Sequence, residues 1–203
     1  MGIGSEFVKQ IESCGYNLTN IQLKSINNSG HIVGYLTCGK YNEKTKKYVG
    51  IESFPFYWDG TIHIIPVALS INFPREDDFK IKINNNGSVL IVPYGDTTSY
   101  IWSKENGLKI ISDLEGKAIN DLNVVLGHNS ICVDNKTIAF SELLGINDIY
   151  DMAPPYSDTF SIERIAIGRE AVLEINNKGQ IFCMGYMWGV WYPCILNPKG
   201  ISP

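Results

Sequence analysis

The sequence predicts an all-β fold, a β-propeller-like array of about four antiparallel blades, and three observations carry that prediction. The first is a hairpin pattern met four times: Ile26-Asn27-Asn28-Ser29-Gly30, Ile83-Asn84-Asn85-Asn86-Gly87, Ile119-Asn120-Asp121-Leu122-Asn123 and Ile175-Asn176-Asn177-Lys178-Gly179. In each copy an apolar strand ends at the isoleucine, the polar residues tolerate positive φ in a turn, and apolar residues open the return strand. The second is the spacing. The copies begin at positions 26, 83, 119 and 175, which brackets the ~40–50 residues usual for one propeller blade. The third is what the pattern lacks: no long period-3.6 apolar stripe bounded by caps, so almost no helix is expected. Phe7 to Cys14 is the one stretch where a short helix competes with a strand.

The elements follow in order. Met1 to Phe7 contains Gly-Ser-Glu-Phe, which two adjoining cloning sites commonly encode, and it is set aside. Residues 8–203 then read as a single repeat domain with blade turns near 26–35, 83–91, 119–127 and 175–186. A second motif follows each hairpin: Phe56 to Ile62, Tyr100 to Leu108, and in weaker form Ala139 to Ile146 and Cys194 to Ile201. Each reads as a third strand, a glycine-containing turn and the start of a fourth. Fourth strands are expected at Thr61 to Ala68 and Leu108 to Leu114, both rich in isoleucine. Lys40 to Tyr48 reads as a solvated hairpin tip whose lysines protect an edge.

Two long connections, Ser70 to Phe79 with Glu76-Asp77-Asp78 and Tyr150 to Arg164 with Pro154-Pro155, are candidates for a binding surface. The last copy breaks off at Gly200 to Pro203, where a fourth strand would begin. Phe7 to Cys14 resembles Leu108 to Ile111, so a ring closed by this N-terminal segment, paired beside Cys194 to Leu196, is expected; the alternative is a truncated, open array whose edge a second molecule caps.

Composition narrows the function classes. The chain is 44% hydrophobic and 19% charged, as globular proteins are. A net charge of −4 and a pI of about 5.4 argue against nucleic acid or an anionic membrane as the main partner. No apolar run approaches the ~20 residues that span a bilayer. The five cysteines are odd in number and lack a Cys-x-x-Cys pair, which indicates neither a zinc site nor a disulfide framework. Most read as small buried hydrophobes, while Cys183 and Cys194 are close enough in sequence that a bridge between them stays open.

Chemistry-bearing motifs are scarce. His31, His63 and His128 lack the spacing of metal ligands, and His63 reads as a hydrogen-bonded structural residue within a strand. No nucleophile elbow or phosphate loop is present. Asp59, Asp96, Asp113, Asp134 and Asp148 fall near turns, where a pair could serve glycoside hydrolysis. Aspartate also caps turns by bonding its own backbone, and that reading is preferred. No catalytic residue, metal or cofactor is assigned. Aromatic residues say more. Tyr186 to Tyr192 reads as a tight hairpin exposing Trp188, whereas Trp58 and Trp102 recur at one repeat position and read as inter-blade packing. The candidate binding residues are Trp188, Tyr186, Tyr192, Tyr156, Glu76, Asp77 and Asp78.

The repeats resemble the bacterial repeats called HAF or probable extracellular repeats, whose pattern is an Ile-Asn-x-x-Gly-x-Val-Val-Gly-Tyr-like hairpin followed by an aromatic-Leu-Trp-x-x-Gly strand. Ile26 to Tyr35 with Phe56 to Gly60 matches best, then Ile83 to Gly107 and Ile175 to Tyr186. Ile119 to Gly145 departs from it, with Asn123 in place of the turn glycine. The resemblance implies a β-propeller or related radial array and little chemistry, since the family has no single known activity. The expected function is a non-enzymatic protein-binding module in a secreted or host-directed bacterial protein, an origin that the Ile, Asn and Lys bias fits. A glycan-binding or glycan-cleaving propeller is the alternative.

Overall fold

The computed structural model describes residues 17–67, 79–93, 97–128, 130–140, 142, 172–187 and 190–197. Within them the strands form four separate antiparallel sheets, one per copy of the repeat. The first sheet runs β1 (Asn17–Ile26), β2 (Ile32–Asn42), β3 (Lys47–Trp58), β4 (Ile62–Ile64), and the second β5 (Phe79–Ile83), β6 (Val89–Pro93), β7 (Ser99–Ser103), β8 (Gly107–Ile111). The third runs β9 (Gly116–Ile119), β10 (Val125–Gly127), β11 (Ser130–Val133), β12 (Lys136–Ala139), and the fourth β13 (Val172–Ile175), β14 (Ile181–Met187), β15 (Val190–Leu196). Each sheet is a meander, with sequence neighbours paired side by side. Among the described residues none is closed into a barrel or a propeller ring. The expected pairing of Phe7 to Cys14 beside β15 lies outside the described residues.

The four repeated turns share one geometry. In the first, Gly30 N–H donates to the Asn27 carbonyl and Asn27 N–H to the His31 carbonyl, which makes a three-residue hairpin loop. The same two bonds recur at Asn84, Asn120 and Asn176. The residue closing each loop is left-handed: Gly30 at φ 78°, Gly87 at 79°, Gly179 at 73° and, in the third copy, Asn123 at 60°. Asparagine is the common non-glycine choice there, so the substitution keeps the turn. The leading asparagine fixes each loop through its side-chain oxygen, which accepts two N–H groups: Ser29 and His31, Asn86 and Ser88, Leu122 and Val124, Lys178 and Gln180.

The third copy corrects the sequence reading. Its third strand is Ser130–Val133, about nine residues before the expected Ala139 to Ile146. The signal was Asp134-Asn135, at φ 51° and 66°, a two-residue turn with both residues left-handed that joins Val133 to Lys136. The fourth strands are also shorter than expected, at Ile62–Ile64 and Gly107–Ile111. Beyond β4 the Ile65 N–H bonds the Pro55 carbonyl and Pro66 offers no donor, so the ladder ends.

The chain divides into two compact units, residues 1–96 with 100–109, and residues 97–99 with 110–203. In the first, Val33, Tyr35 and Tyr57 of the first sheet pack on Ile81, Ile83, Val89, Ile91 and Trp102 of the second. In the other, Ala118, Val124, Leu126 and Ile131 of the third sheet pack on Ile175, Ile181, Cys183 and Leu196 of the fourth. Both layers carry the same polar clasp. Asn27 Nδ2 donates to the Asn84 carbonyl at 3.1 Å and the Asn28 N–H to Asn85 Oδ1 at 3.1 Å. Asn120 Nδ2 donates to the Asn176 carbonyl at 3.0 Å and the Asp121 N–H to Asn177 Oδ1 at 2.9 Å. Cys38, Cys132 and Cys183 are buried, as the core reading has it, and Cys183 stands opposite Cys194 in register. Burial, with the Glu52 carboxylate adding to it, pushes the Cys38 thiol up to about 11, which suits a packing role.

β2 and β3 continue past the sheet as a two-stranded arm. At its base Cys38 pairs with Glu52 and Lys40 with Val49, an irregular step containing Gly39 and the left-handed Gly50, at φ 60°. Such a bulge re-aims the ribbon beyond it. The arm is the solvated hairpin tip expected from Lys40 to Tyr48, and Asn42 Oδ1 caps it by accepting the Lys44 and Thr45 N–H groups.

Two outcomes follow for stability. Asn120→Ala removes a buried side chain with three bonds and should cost ~2–4 kcal/mol, while exposed Asn176→Ala should cost ~1 kcal/mol; urea midpoints in the reverse order would contradict the clasp. Gly34→Ala places a Cβ against the Gln22 carbonyl of β1, so hydrogen exchange in β1 should accelerate by at least ~10-fold, and unchanged protection would contradict that close approach.

Candidate functional site

Most of the sequence-derived binding residues fall where no placement is described. Trp188, Tyr156, Glu76, Asp77 and Asp78 lie outside the described residues. For Tyr186 and Tyr192 the backbone is described, in β14 and β15, with Met187 paired to Val190 across a two-residue loop. That hairpin is as read from the sequence. Of the aspartates, Asp113 and Asp134 occupy left-handed turn positions, and Asp59 accepts the Thr61 N–H two residues on. Asp59 thus bears out the turn-capping reading and Asp113 and Asp134 stand at turn positions, while Asp96 and Asp148 lie outside the described residues.

Sequence reasoning missed a cluster in the first unit that joins its two sheets. Tyr57 and His63 face each other across β3 and β4, and Trp102 on β7 packs against both, with ring centroids 5.3 and 6.5 Å away. The Tyr57 hydroxyl lies 2.9 Å from His31 Nδ1, in the first repeated turn. Asn27 Nδ2, which can only donate, approaches the same nitrogen at 3.5 Å. Nδ1 is therefore the acceptor, and the Tyr57 hydroxyl donates to it. Burial, followed by Asp59 and Glu105, raises the Tyr57 hydroxyl above its ordinary range and keeps it a neutral donor.

At the solvent side Asp59 is held from two directions. Lys104 Nζ lies 2.9 Å from Oδ2 and His63 Nε2 lies 3.2 Å from Oδ1. The Lys104 hydrogen bond is the main cause that brings the Asp59 carboxyl down to about 2; burial opposes it, and Thr61 and His63 add to the lowering. Such a group is a poor general acid at neutral pH. The hydrogen-bonded role expected for His63 is what this geometry gives it, and Trp102 fills the layer between the first and second sheets as its repeat position implied. Trp58, at the matching register, packs against Leu36, Cys38 and Phe56. No motif announced the cluster, because its members come from three separate stretches, residue 31, residues 57–63 and residues 102–104.

A second feature stands on the arm. Tyr41 and Tyr48 are directly paired across β2 and β3, edge to face at 5.3 Å, and stay 44% and 45% exposed. The same ribbon carries Lys40, Lys44, Lys46 and Lys47 against the single acid Glu43. The sequence showed the lysines, and the Tyr pairing becomes visible only with the strand register.

Among the described residues no group of three or more His, Cys, Asp or Glu side chains is placed to hold a metal ion, and no helix is long and apolar enough to cross a membrane. No family model and no curated protein matches the chain.

The ion pair gives a pH test. The folded Asp59 carboxyl titrates below the ~3.9 of an unfolded aspartate, so its contribution is complete above that value and is lost as pH falls toward 2. With Lys104 half-exposed, Asp59→Asn should lower stability at pH 7 by no more than ~1 kcal/mol and flatten the stability curve between pH ~4 and ~2. Thermal melts across that range check it, and an unchanged acid limb would remove Asp59 from the account.

Proposed function

We propose that the protein is a non-enzymatic protein-binding module on a β-propeller-like scaffold, part of a secreted or host-directed bacterial protein. The observation that carries the reading is the Tyr41–Tyr48 pair, two aromatic rings held in the open on an arm set apart from the sheet by a glycine bulge. Tyrosine supplies a large, rigid, amphipathic contact at low entropic cost, which is why it anchors interfaces. The surrounding lysines favour a partner with an acidic surface. The polar cluster around Asp59 supports the non-enzymatic part, since its carboxylate is committed to Lys104 and His63. The resemblance to probable extracellular repeats supports the propeller-like scaffold and the secreted, bacterial setting.

The test uses the full chain as bait for crosslinking and capture from host lysate, beside a glycan array. The double variant Tyr41→Ala/Tyr48→Ala should keep its unfolding midpoint within ~1 kcal/mol of wild type and weaken partner binding by at least ~2 kcal/mol, with Trp188→Ala compared in parallel. Saturable sugar binding without a protein partner would replace this reading by the glycan-binding alternative.

A further inference from the structure

Two Asn-Gly pairs occur in the sequence, Asn86-Gly87 and Asn106-Gly107, and both asparagines are exposed in hairpin turns. An asparagine before glycine is prone to lose its side-chain amide, because glycine has no Cβ to keep its backbone nitrogen away from the asparagine Cγ. In that reaction the glycine N–H loses its proton, the nitrogen bonds Cγ and the Cγ–Nδ2 bond breaks, the departing nitrogen leaving as ammonia. Water then opens the five-membered imide at either carbonyl. Attack at Cγ gives aspartate, and attack at the main-chain carbonyl gives isoaspartate, with the chain running through Cβ and Cγ. One water is consumed and one ammonia released, and the reaction needs nothing else.

The dipeptide is the same at both places, and the structure separates them. Asn86 lies in the second repeated turn, which the first sheet grips: Asn27 Nδ2 donates to the Asn84 carbonyl, and the Asn28 N–H to Asn85 Oδ1. Inside that turn the Gly87 N–H, whose nitrogen is the attacking atom, donates to the Asn84 carbonyl, and Asn84 Oδ1 accepts the Asn86 and Ser88 N–H groups. A Cβ on Gly87 would stand 3.5 Å from the Tyr57 hydroxyl, so the first sheet also limits the room for an imide ring. Asn106 sits in the turn between β7 and β8, where residues 104–107 are all exposed. Its own hydrogen bonds go to one acceptor, Ser103 Oγ, from its N–H at 3.1 Å and its Nδ2 at 3.2 Å. Gly107 is left-handed at φ 68°, with nothing within 4 Å of where a Cβ would stand. This loop reaches the first sheet through the half-exposed Lys104, which bonds Asp59.

We propose that Asn106 is a site of spontaneous deamidation and isoaspartate formation in the folded protein, and that the clasp on the second repeated turn shields Asn86 from the same reaction. Asn106 has only to turn its carboxamide off one hydroxyl to present Cγ to the glycine nitrogen, a local fluctuation that leaves both sheets paired. Asn86 reacts when the clasp opens, and opening the clasp parts the first sheet from the second, a larger and rarer event. Conversion replaces a neutral amide by a carboxylate in the loop that supplies Lys104, the cation on Asp59. The proposal stands independently of what the Tyr41–Tyr48 arm binds.

Incubation of the full chain at mildly alkaline pH, followed by tryptic mass spectrometry, tests the proposal. Cleavage after Lys82, Lys104 and Lys109 puts the two pairs on separate peptides, and fragment ions assign the replacement of NH2 by OH to a residue. In the folded chain Asn106 should convert at least ~10-fold faster than Asn86, a ratio that a modest difference in local opening free energy produces. The converted peptide should accept a methyl group from S-adenosylmethionine through an isoaspartyl methyltransferase. In concentrated urea, where both turns are open, the two rates should converge. Asn85→Ala removes the acceptor of the Asn28 N–H at an exposed position and should speed conversion of Asn86 while leaving Asn106 as it was. Equal rates in the folded chain, or a ratio that persists in urea, overturn the proposal. So does an Asn106 that stays intact in the folded chain over the time in which the unfolded chain converts, and an Asn86 rate unmoved by Asn85→Ala overturns the shielding.

Discussion

The structure depends on one side chain used four times, the asparagine that leads each repeated turn. Its oxygen accepts two backbone N–H groups of its own loop, so the loop cannot relax without leaving donors unpaired. In the first and third copies its nitrogen is then free to reach the next sheet, and it bonds a turn carbonyl there. A single amide thus fixes the hairpin, sets the distance between two sheets and aligns their apolar faces. Aspartate could close the loop but could not donate, and serine could not span both roles. Asparagine is the side chain that combines a fixed acceptor with a fixed donor at this length.

That dependence explains what could be read from the sequence. The Ile-Asn-x-x-Gly pattern is legible because every residue in it answers a local demand: strand end, cap, loop, left-handed closure. Local demands yielded the sheets, their meander order and the place of Trp102. The third copy was harder because two rules changed at once. Asn123 took the left-handed position usually given to glycine, and Asp134-Asn135 made a turn with no glycine at all. The short hairpin then moved its third strand upstream of the apolar stretch that had suggested one.

The cluster of His31, Tyr57, Asp59, His63, Trp102 and Lys104 was illegible for a different reason. Its members become neighbours only after two sheets have packed, and each residue alone has an ordinary place in a strand or turn. Once assembled, the cluster absorbs its own polarity: Tyr57 bonds His31, and Asp59 bonds Lys104 and His63. It behaves as a part-buried polar seam between the two sheets, whose members satisfy one another. The open Tyr pair on the arm has the opposite character, since its rings are ordered against each other and gain burial only from something else.

The glycine bulge at the base of that arm has an evolutionary consequence. Because Gly39 and Gly50 take up the mismatch between ribbon and sheet, residues 40 to 49 contribute little to the register that holds Val33 opposite Tyr57. Lengthening, shortening or replacing the ribbon in matched pairs adds only the slow loop-closure entropy of a longer connection and leaves the buried layers as they are. Sequence change there is insulated from folding, so the tip can vary without disturbing the layers that the asparagine turns hold together.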